Sequence, residues 1–163
     1  LNDEVPELVD NKIAIRIVGD RSAFSPSLRD AMRRAEDATQ GGTRLHLNIM
    51  ANYGGRWDIV DTARRLAQAA VEGRVAPDAI DESLFETMHN LSEQEPVDLL
   101  IRTGGEHRIS NFLLWQAAYA ELVFSDVLWP DFDGAALDAC LIAYANRERR
   151  FGMTSEQVRG APC

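Results

Sequence analysis

The chain has 163 residues, 45% of them hydrophobic, which is enough for one domain with a core of its own. Its 26 acidic residues against 17 basic ones give a net charge of -9, which argues against a nucleic-acid surface, because that requires a basic face. The two cysteines, Cys140 and Cys163, lie far apart without C-x-x-C spacing, so neither a disulfide framework nor a zinc site is expected, and a reducing, cytoplasmic setting is.

The first ten residues, LNDEVPELVD, are acidic and polar, unlike a signal peptide, and open on Leu1 rather than methionine. The expectation is that the chain starts inside a longer one. KIAIRIVG (12–19) alternates β-branched and polar residues and reads as a strand. SPSLRDAMRRAEDAT follows as a helix, with Ser25 as N-cap and Pro26 in the first turn. RLHLNIMA (44–51) is a second strand. After NYGG, residues 56–72 read as a helix with an apolar face of Ile59, Ala63, Leu66 and Ala70. Residues 78–89 are expected to be helical, though weakly patterned.

VDLLIRT (97–103) reads as a third strand and Glu121 to Ser125 as a fourth, with a short buried helix over 111–118 between them. The apolar run 111–124 is interrupted by Gln116 and Glu121 and is too short to span a bilayer. A last helix is expected over 133–149, with Leu137, Cys140, Leu141 and Tyr144 on one stripe, and then a loose polar tail. Strands alternating with helices imply βαβ units. The fold class is therefore α/β, a mostly parallel β-sheet flanked by helices.

Ligands of open α/β sheets bind outside the carboxyl ends of the strands. Three segments leave a strand with unusual composition: GDRSAF, NYGGRWD and RTGGEHRIS. A Gly-Gly pair lets the backbone turn tightly and present N–H groups to an anion, but many structural turns need the same. For NYGG, a plain turn with Asp58 stabilising a helix start accounts for the residues at least as well. RTGGEHRIS is richer. Arg102 and Arg108 offer planar forks that match phosphate oxygens, and His107 and Ser110 add further donors. Each arginine could instead pair with a surface carboxylate such as Glu106, yet the set beside two glycines favours binding.

Glu121 interrupts an apolar stretch, where a carboxylate needs a partner. That partner is either an arginine or a divalent metal beside a phosphate. His46, His89 and the three tryptophans read as structural residues. The basic run NRERRFG complements the end of the last helix, unless its RFG reaches an anion elsewhere. No P-loop, G-x-G-x-x-G or G-x-S-x-G occurs, which disfavours nucleotide hydrolysis, dinucleotide redox chemistry and serine hydrolysis. What remains is an anion site bordered by apolar sequence, as a greasy molecule with a phosphate head would need.

LNIMANYGGRWDIV, VDLLIRTGGEHRISNFLLWQAAYAELVFSDVLWPDF and NRERRFG together resemble the cis-prenyltransferases, in particular the bacterial undecaprenyl diphosphate synthases. The resemblance runs to about Gly152. It implies one domain over 1–152, incomplete at the N-terminus, followed by a tail over 153–163. It also implies successive condensation of isopentenyl diphosphate onto an allylic diphosphate (farnesyl diphosphate), with Mg²⁺ as cofactor and cis double bonds in the product. The product would be undecaprenyl diphosphate, the lipid carrier of cell-wall synthesis. By resemblance, Arg102, Arg108 and Ser110 hold the diphosphate of isopentenyl diphosphate, and Glu121 contributes to the Mg²⁺ site. Arg150 and Gly152 complete the site across a homodimer. His107, Glu106, Gly104, Gly105 and Asn52 are supporting positions, and Leu45 falls at the far end of the product tunnel. Transient contact with a membrane surface would serve product release.

The family opens with a strand and a loop of the form D-G-N-x-R-W-A that carries a catalytic aspartate. Nothing in this chain matches it, so the catalytic aspartate is expected upstream of Leu1, this chain is expected to be inactive alone, and its fold is expected to expose an apolar edge and face. Two other readings remain. One is a non-catalytic partner subunit of a cis-prenyltransferase dimer, and the other a generic anion-binding α/β module.

Overall fold

The computed structural model describes residues 4–147, and clustering of the backbone divides the chain at Gln94 and Glu95 into two compact units. Arg150, Gly152, Cys163 and the expected tail therefore lie outside the described residues.

The first unit contains α1 (Val5–Asp10), β1 (Ile13–Val18), α2 (Pro26–Thr39), β2 (Leu45–Met50), α3 (Gly55–Val71) and α4 (Glu82–Met88). β1 and β2 pair in parallel, Ile13 opposite Leu45 and Val18 opposite Met50. Parallel neighbours need a crossover, and α2 supplies it. Ser25 caps α2 by accepting the Leu28 N–H, with Pro26 in the first turn, as its sequence implies. α1 and α2 both pack on β1, and α3 packs on α4. Ile15, Ile17, Val18, Met32, Ala35, Leu66, Ala69 and Leu91 are buried and form this unit's core.

Side chains of α2 also close one edge of β1. The Ile15 N–H donates to Thr39 Oγ1 at 3.1 Å, and the Ile17 N–H donates to Glu36 Oε1 at 2.7 Å. Arg21 holds Glu36 in an ion pair and donates to the Ile17 carbonyl. These bonds satisfy backbone groups that a strand edge would otherwise leave to water or to another chain.

The second unit contains β3 (Leu99–Arg102), β4 (Glu121–Phe124) and α5 (Gly134–Ala145). β3 and β4 are parallel, Leu99 opposite Glu121 and Arg102 opposite Phe124. α5 is capped by the Asp133 carboxylate and packs on β4. Leu100, Leu113, Val123 and Cys140 are the buried apolar residues here. The α/β class and the parallel pairing hold in both units.

Several elements differ from the sequence reading. The expected helix over 111–118 is a run of turns, because Ser110, Asn111 and Leu113 take φ of +46°, +65° and +47°, which a right-handed helix does not admit. Only Leu113 of that stretch is buried. The segment 78–89 is broken by Asp81, which caps α4 through the Leu84 N–H and leaves Pro77–Ala79 as a separate single turn. The buried stripe of α3 is Gly55, Asp58, Thr62, Leu66 and Ala69; of the expected apolar face Leu66 is buried, Ile59 and Ala70 are half-buried, and Ala63 faces solvent. Polar Asp58 and Thr62 take the inner face because their hydrogen bonds are made there, a preference that hydrophobic periodicity does not register. On α5, Cys140 is buried while Leu137 and Leu141 are exposed. α1 was not foreseen: six residues with no apolar period offer little to detect.

Candidate functional site

The segment after β3 is built around two left-handed glycines, Gly104 at φ +84° and Gly105 at φ +71°, a conformation that other residues rarely adopt. The turn is stitched to the segment after β4. The Gly104 N–H donates to the Val127 carbonyl at 2.8 Å, and the Gly105 N–H to the Ser125 carbonyl at 3.0 Å. The Ser125 N–H in turn donates to the Arg102 carbonyl at 2.8 Å. Both glycine N–H groups are thus engaged with backbone, so the Gly-Gly pair shapes the loop rather than offering those groups to an anion.

Arg102 ends β3 and folds its guanidinium over this loop. Its Nη1 donates to Ser110 Oγ at 2.8 Å and to the Arg108 carbonyl. Arg108 is paired with Glu106 on the exposed surface. The alternative weighed from sequence therefore holds for Arg108, while Arg102 is held by the loop itself. His107 sits over Phe124, the last residue of β4, with ring centroids 5.0 Å apart. Arg102, Arg108, Ser110, His107, Glu106, Gly104 and Gly105 are thereby gathered at the carboxyl end of the β3–β4 pair, where a parallel α/β fold takes its ligand.

Glu121 is placed differently. It begins β4 opposite Leu99, three residues from the level of Arg102, or roughly 10 Å along the strand. Its Oε2 accepts from Arg147 Nη1 at 3.0 Å, and Arg147 also donates to the Leu122 carbonyl at 2.7 Å. Among the described residues, no three His, Cys, Asp or Glu side chains gather as a metal site. Mg²⁺ commonly takes only one or two protein carboxylates and fills its shell with phosphate oxygens and water. Glu121 fits as one such hard ligand if Arg147 yields it.

Leu45 and Asn52 belong to the first unit. Leu45 opens β2 and is 51% exposed. Asn52 lies just past the carboxyl end of β2 at φ +50°, and its Nδ2 donates to the Asp20 carbonyl at 2.9 Å. The Asp20 carboxylate accepts from the Ser22 N–H, and bonding to Ser22 lowers its pKa. Asp58, read from sequence as a helix-start charge, is 3% exposed and accepts from Tyr53 Oη at 2.9 Å and Asn90 Nδ2 at 2.7 Å. Sequence reasoning missed the Ser125 and Val127 carbonyls that hold the Gly-Gly turn, since backbone acceptors leave no residue signature. It also missed the Asp20–Asn52 pairing, whose only trace was the odd composition of GDRSAF.

The Prenyltransf family model, that of undecaprenyl diphosphate synthase, matches residues 1–152. A ditrans,polycis-undecaprenyl-diphosphate synthase of Escherichia coli K12, specific for (2E,6E)-farnesyl diphosphate, is 55% identical over 94% of this chain and 61% of its own length. The enzyme of the same description from Pseudomonas aeruginosa PAO1 is 56% identical over 97% of this chain and 63% of its own. The chain thus spans about three fifths of the length of these curated relatives. The structure of lavandulyl diphosphate synthase from Lavandula x intermedia, in complex with dimethylallyl diphosphate, superposes with a TM-score of 0.88 at 39% identity, over 93% of this chain and 66% of that one. A probable undecaprenyl diphosphate synthase from Campylobacter jejuni gives 0.78 at 30% identity, over 93% and 70%. By the family model, the identity to these relatives and the shared fold, the chain belongs to the undecaprenyl diphosphate synthase family of prenyltransferases.

Proposed function

We propose that this chain carries the isopentenyl diphosphate site of a cis-prenyltransferase that extends farnesyl diphosphate to undecaprenyl diphosphate for the lipid carrier of the cell wall. The observation that carries the reading is Arg102 at the carboxyl end of β3, bonded across its loop to Ser110 Oγ and to the main-chain carbonyl of Arg108, in a chain of this family.

In prenyl transfer the allylic C–O bond breaks, diphosphate leaves as an anion, the isopentenyl double bond attacks the allylic carbon, and a proton is lost. Arg102 and Arg108 would grip the isopentenyl diphosphate by charge-assisted bonds, with Ser110 adding a shorter donor. Glu106 holds Arg108 before substrate arrives, so binding exchanges a surface carboxylate for phosphate oxygens. Mg²⁺, when bound with Glu121 as one ligand, supplies positive charge to the diphosphate oxygens. The proposal further comprises a homodimer in which Arg150 and Gly152 complete the site, Leu45 in the product tunnel, a catalytic aspartate outside these 163 residues, and a cytoplasmic protein that meets a membrane surface transiently. Among the described residues no helix is long and apolar enough to cross a membrane.

The test is a titration of this chain with radiolabelled isopentenyl diphosphate in the presence of Mg²⁺, on the wild type and on Arg102→Ala. Binding by the wild type that Arg102→Ala weakens supports the reading. Failure of this chain to bind isopentenyl diphosphate at all, in a titration with Mg²⁺ present, would sink it.

A further inference from the structure

The loops that follow β1 and β2 leave their strands as one locked piece. The Ala51 N–H donates to the Val18 carbonyl at 2.9 Å, which continues the ladder one step past the strand ends. Beyond it the two chains exchange a pair of bonds: the Asp20 N–H donates to the Asn52 carbonyl at 3.2 Å, and Asn52 Nδ2 donates back to the Asp20 carbonyl at 2.9 Å. The backbones come close enough that a Cβ on Gly19, at φ +140°, would lie 2.0 Å from the Ala51 carbonyl oxygen. Asn52 pays for its place with φ +50°, a conformation its short amide tolerates better than most side chains. The next residue is anchored as well, since Tyr53 Oη donates to the buried Asp58.

We propose that Asn52 is a positioning residue for prenyl transfer: its side-chain amide locks the loop after β1 to the turn after β2, so that the carboxyl ends of the two strands keep one geometry when substrate binds. This rests on the prenyltransferase reading above. Asn52 acts through its bond to Asp20. Its energetic role is to prevent small displacements of the loops, and displacements of about 1 Å far from the bond being made can reduce rates by about 100-fold.

Two substitutions isolate the latch in the full natural chain. Asn52→Gly accepts φ +50° freely and removes the donor, while Asn52→Asp keeps the size and the conformational tolerance but has no N–H to give. Each is measured by thermal melt, by amide exchange at Asp20, and by kcat and KM for isopentenyl diphosphate and farnesyl diphosphate. The expected result is a melt close to wild type, Asp20 exchange faster by about 10-fold, and kcat/KM lower by about 10-fold or more in both variants. A merely structural asparagine would shift the melt and leave kcat/KM per folded molecule unchanged. Wild-type kcat/KM in both variants, with wild-type protein active, overturns the positioning role and leaves the prenyltransferase reading standing. Absence of prenyl transfer by the wild-type full chain overturns both.

Discussion

Arg102 reaches across its own loop to Ser110 and to the Arg108 carbonyl, so two bonds hold its guanidinium over the loop proposed to take the diphosphate. A point charge on a flexible stem does not substitute for a planar fork. Arg102→Lys is therefore expected to weaken isopentenyl diphosphate binding by about 10-fold and Arg102→Ala by about 100-fold, read by titration calorimetry, with Ser110→Ala milder than either. Asp58 makes a complementary case for stability. Replacing it by alanine removes the acceptor of the Tyr53 hydroxyl and of the shorter Asn90 Nδ2 bond at a buried position, for a loss of about 1–3 kcal/mol in a denaturant titration. Near it, burial lowers the pKa of His89, against the pull of Asp58 and Glu86 and with minor help from Arg65 and Arg16. His89 Nδ1 also accepts the Leu91 N–H at 2.9 Å, which requires that nitrogen unprotonated. The unfolded chain then binds the proton more readily than the folded one. Stability is expected to fall as pH drops below the ordinary histidine value near 6.5 and to keep falling until the lowered folded-state pKa is passed. His89→Gln, compared with wild type in melts between pH 7.5 and 5, should flatten that dependence.

Among the elements, β1 depends most on side-chain chemistry. Thr39 Oγ1 accepts the Ile15 N–H and itself donates to the Ala35 carbonyl at 2.8 Å, all in a buried setting. Thr39→Val keeps the shape and removes both bonds, leaving a buried N–H without its acceptor. A loss of about 1–3 kcal/mol is expected in urea unfolding, with faster amide exchange at Ile15 as its local signature. The closed edge bears on the expectation that this chain would expose an apolar edge and face. The Ile15 and Ile17 N–H groups are taken, so this edge is covered, while apolar faces are exposed: Leu45, Leu47 and Ile49 of β2 and Leu137, Leu141 and Ile142 of α5 are all at least 39% exposed.

Across the whole molecule, each compact unit has a two-stranded parallel ladder and large apolar side chains in water, including Trp129 at 76% and Tyr119 at 71% exposure. Isolated two-stranded ladders are marginal without cover, and exposed apolar patches promote association. The 163-residue chain studied alone is expected to bind a hydrophobic dye and to sediment with increasing mass as its concentration rises. Its net charge of -9 slows association by repulsion, so added salt should strengthen it. A sharp, concentration-independent melt of a monomer would contradict this.

What sequence alone determined is set by local chemistry. Short apolar runs, the first alternating β-branched and polar residues, placed all four strands, Ser25 with Pro26 placed the start of α2, and the length of the RTGGEHRIS and NRERRFG motifs placed the family. What only tertiary structure decided is which partner each polar group chooses. That choice turned Arg108 to Glu106 and Arg102 to Ser110, gave Glu121 to Arg147, brought Asp58 inside, and unwound 111–118 through three left-handed residues. Hydrogen bonds and ion pairs join residues distant in sequence, and their net worth depends on desolvation at the place where they meet, so no local pattern announces them.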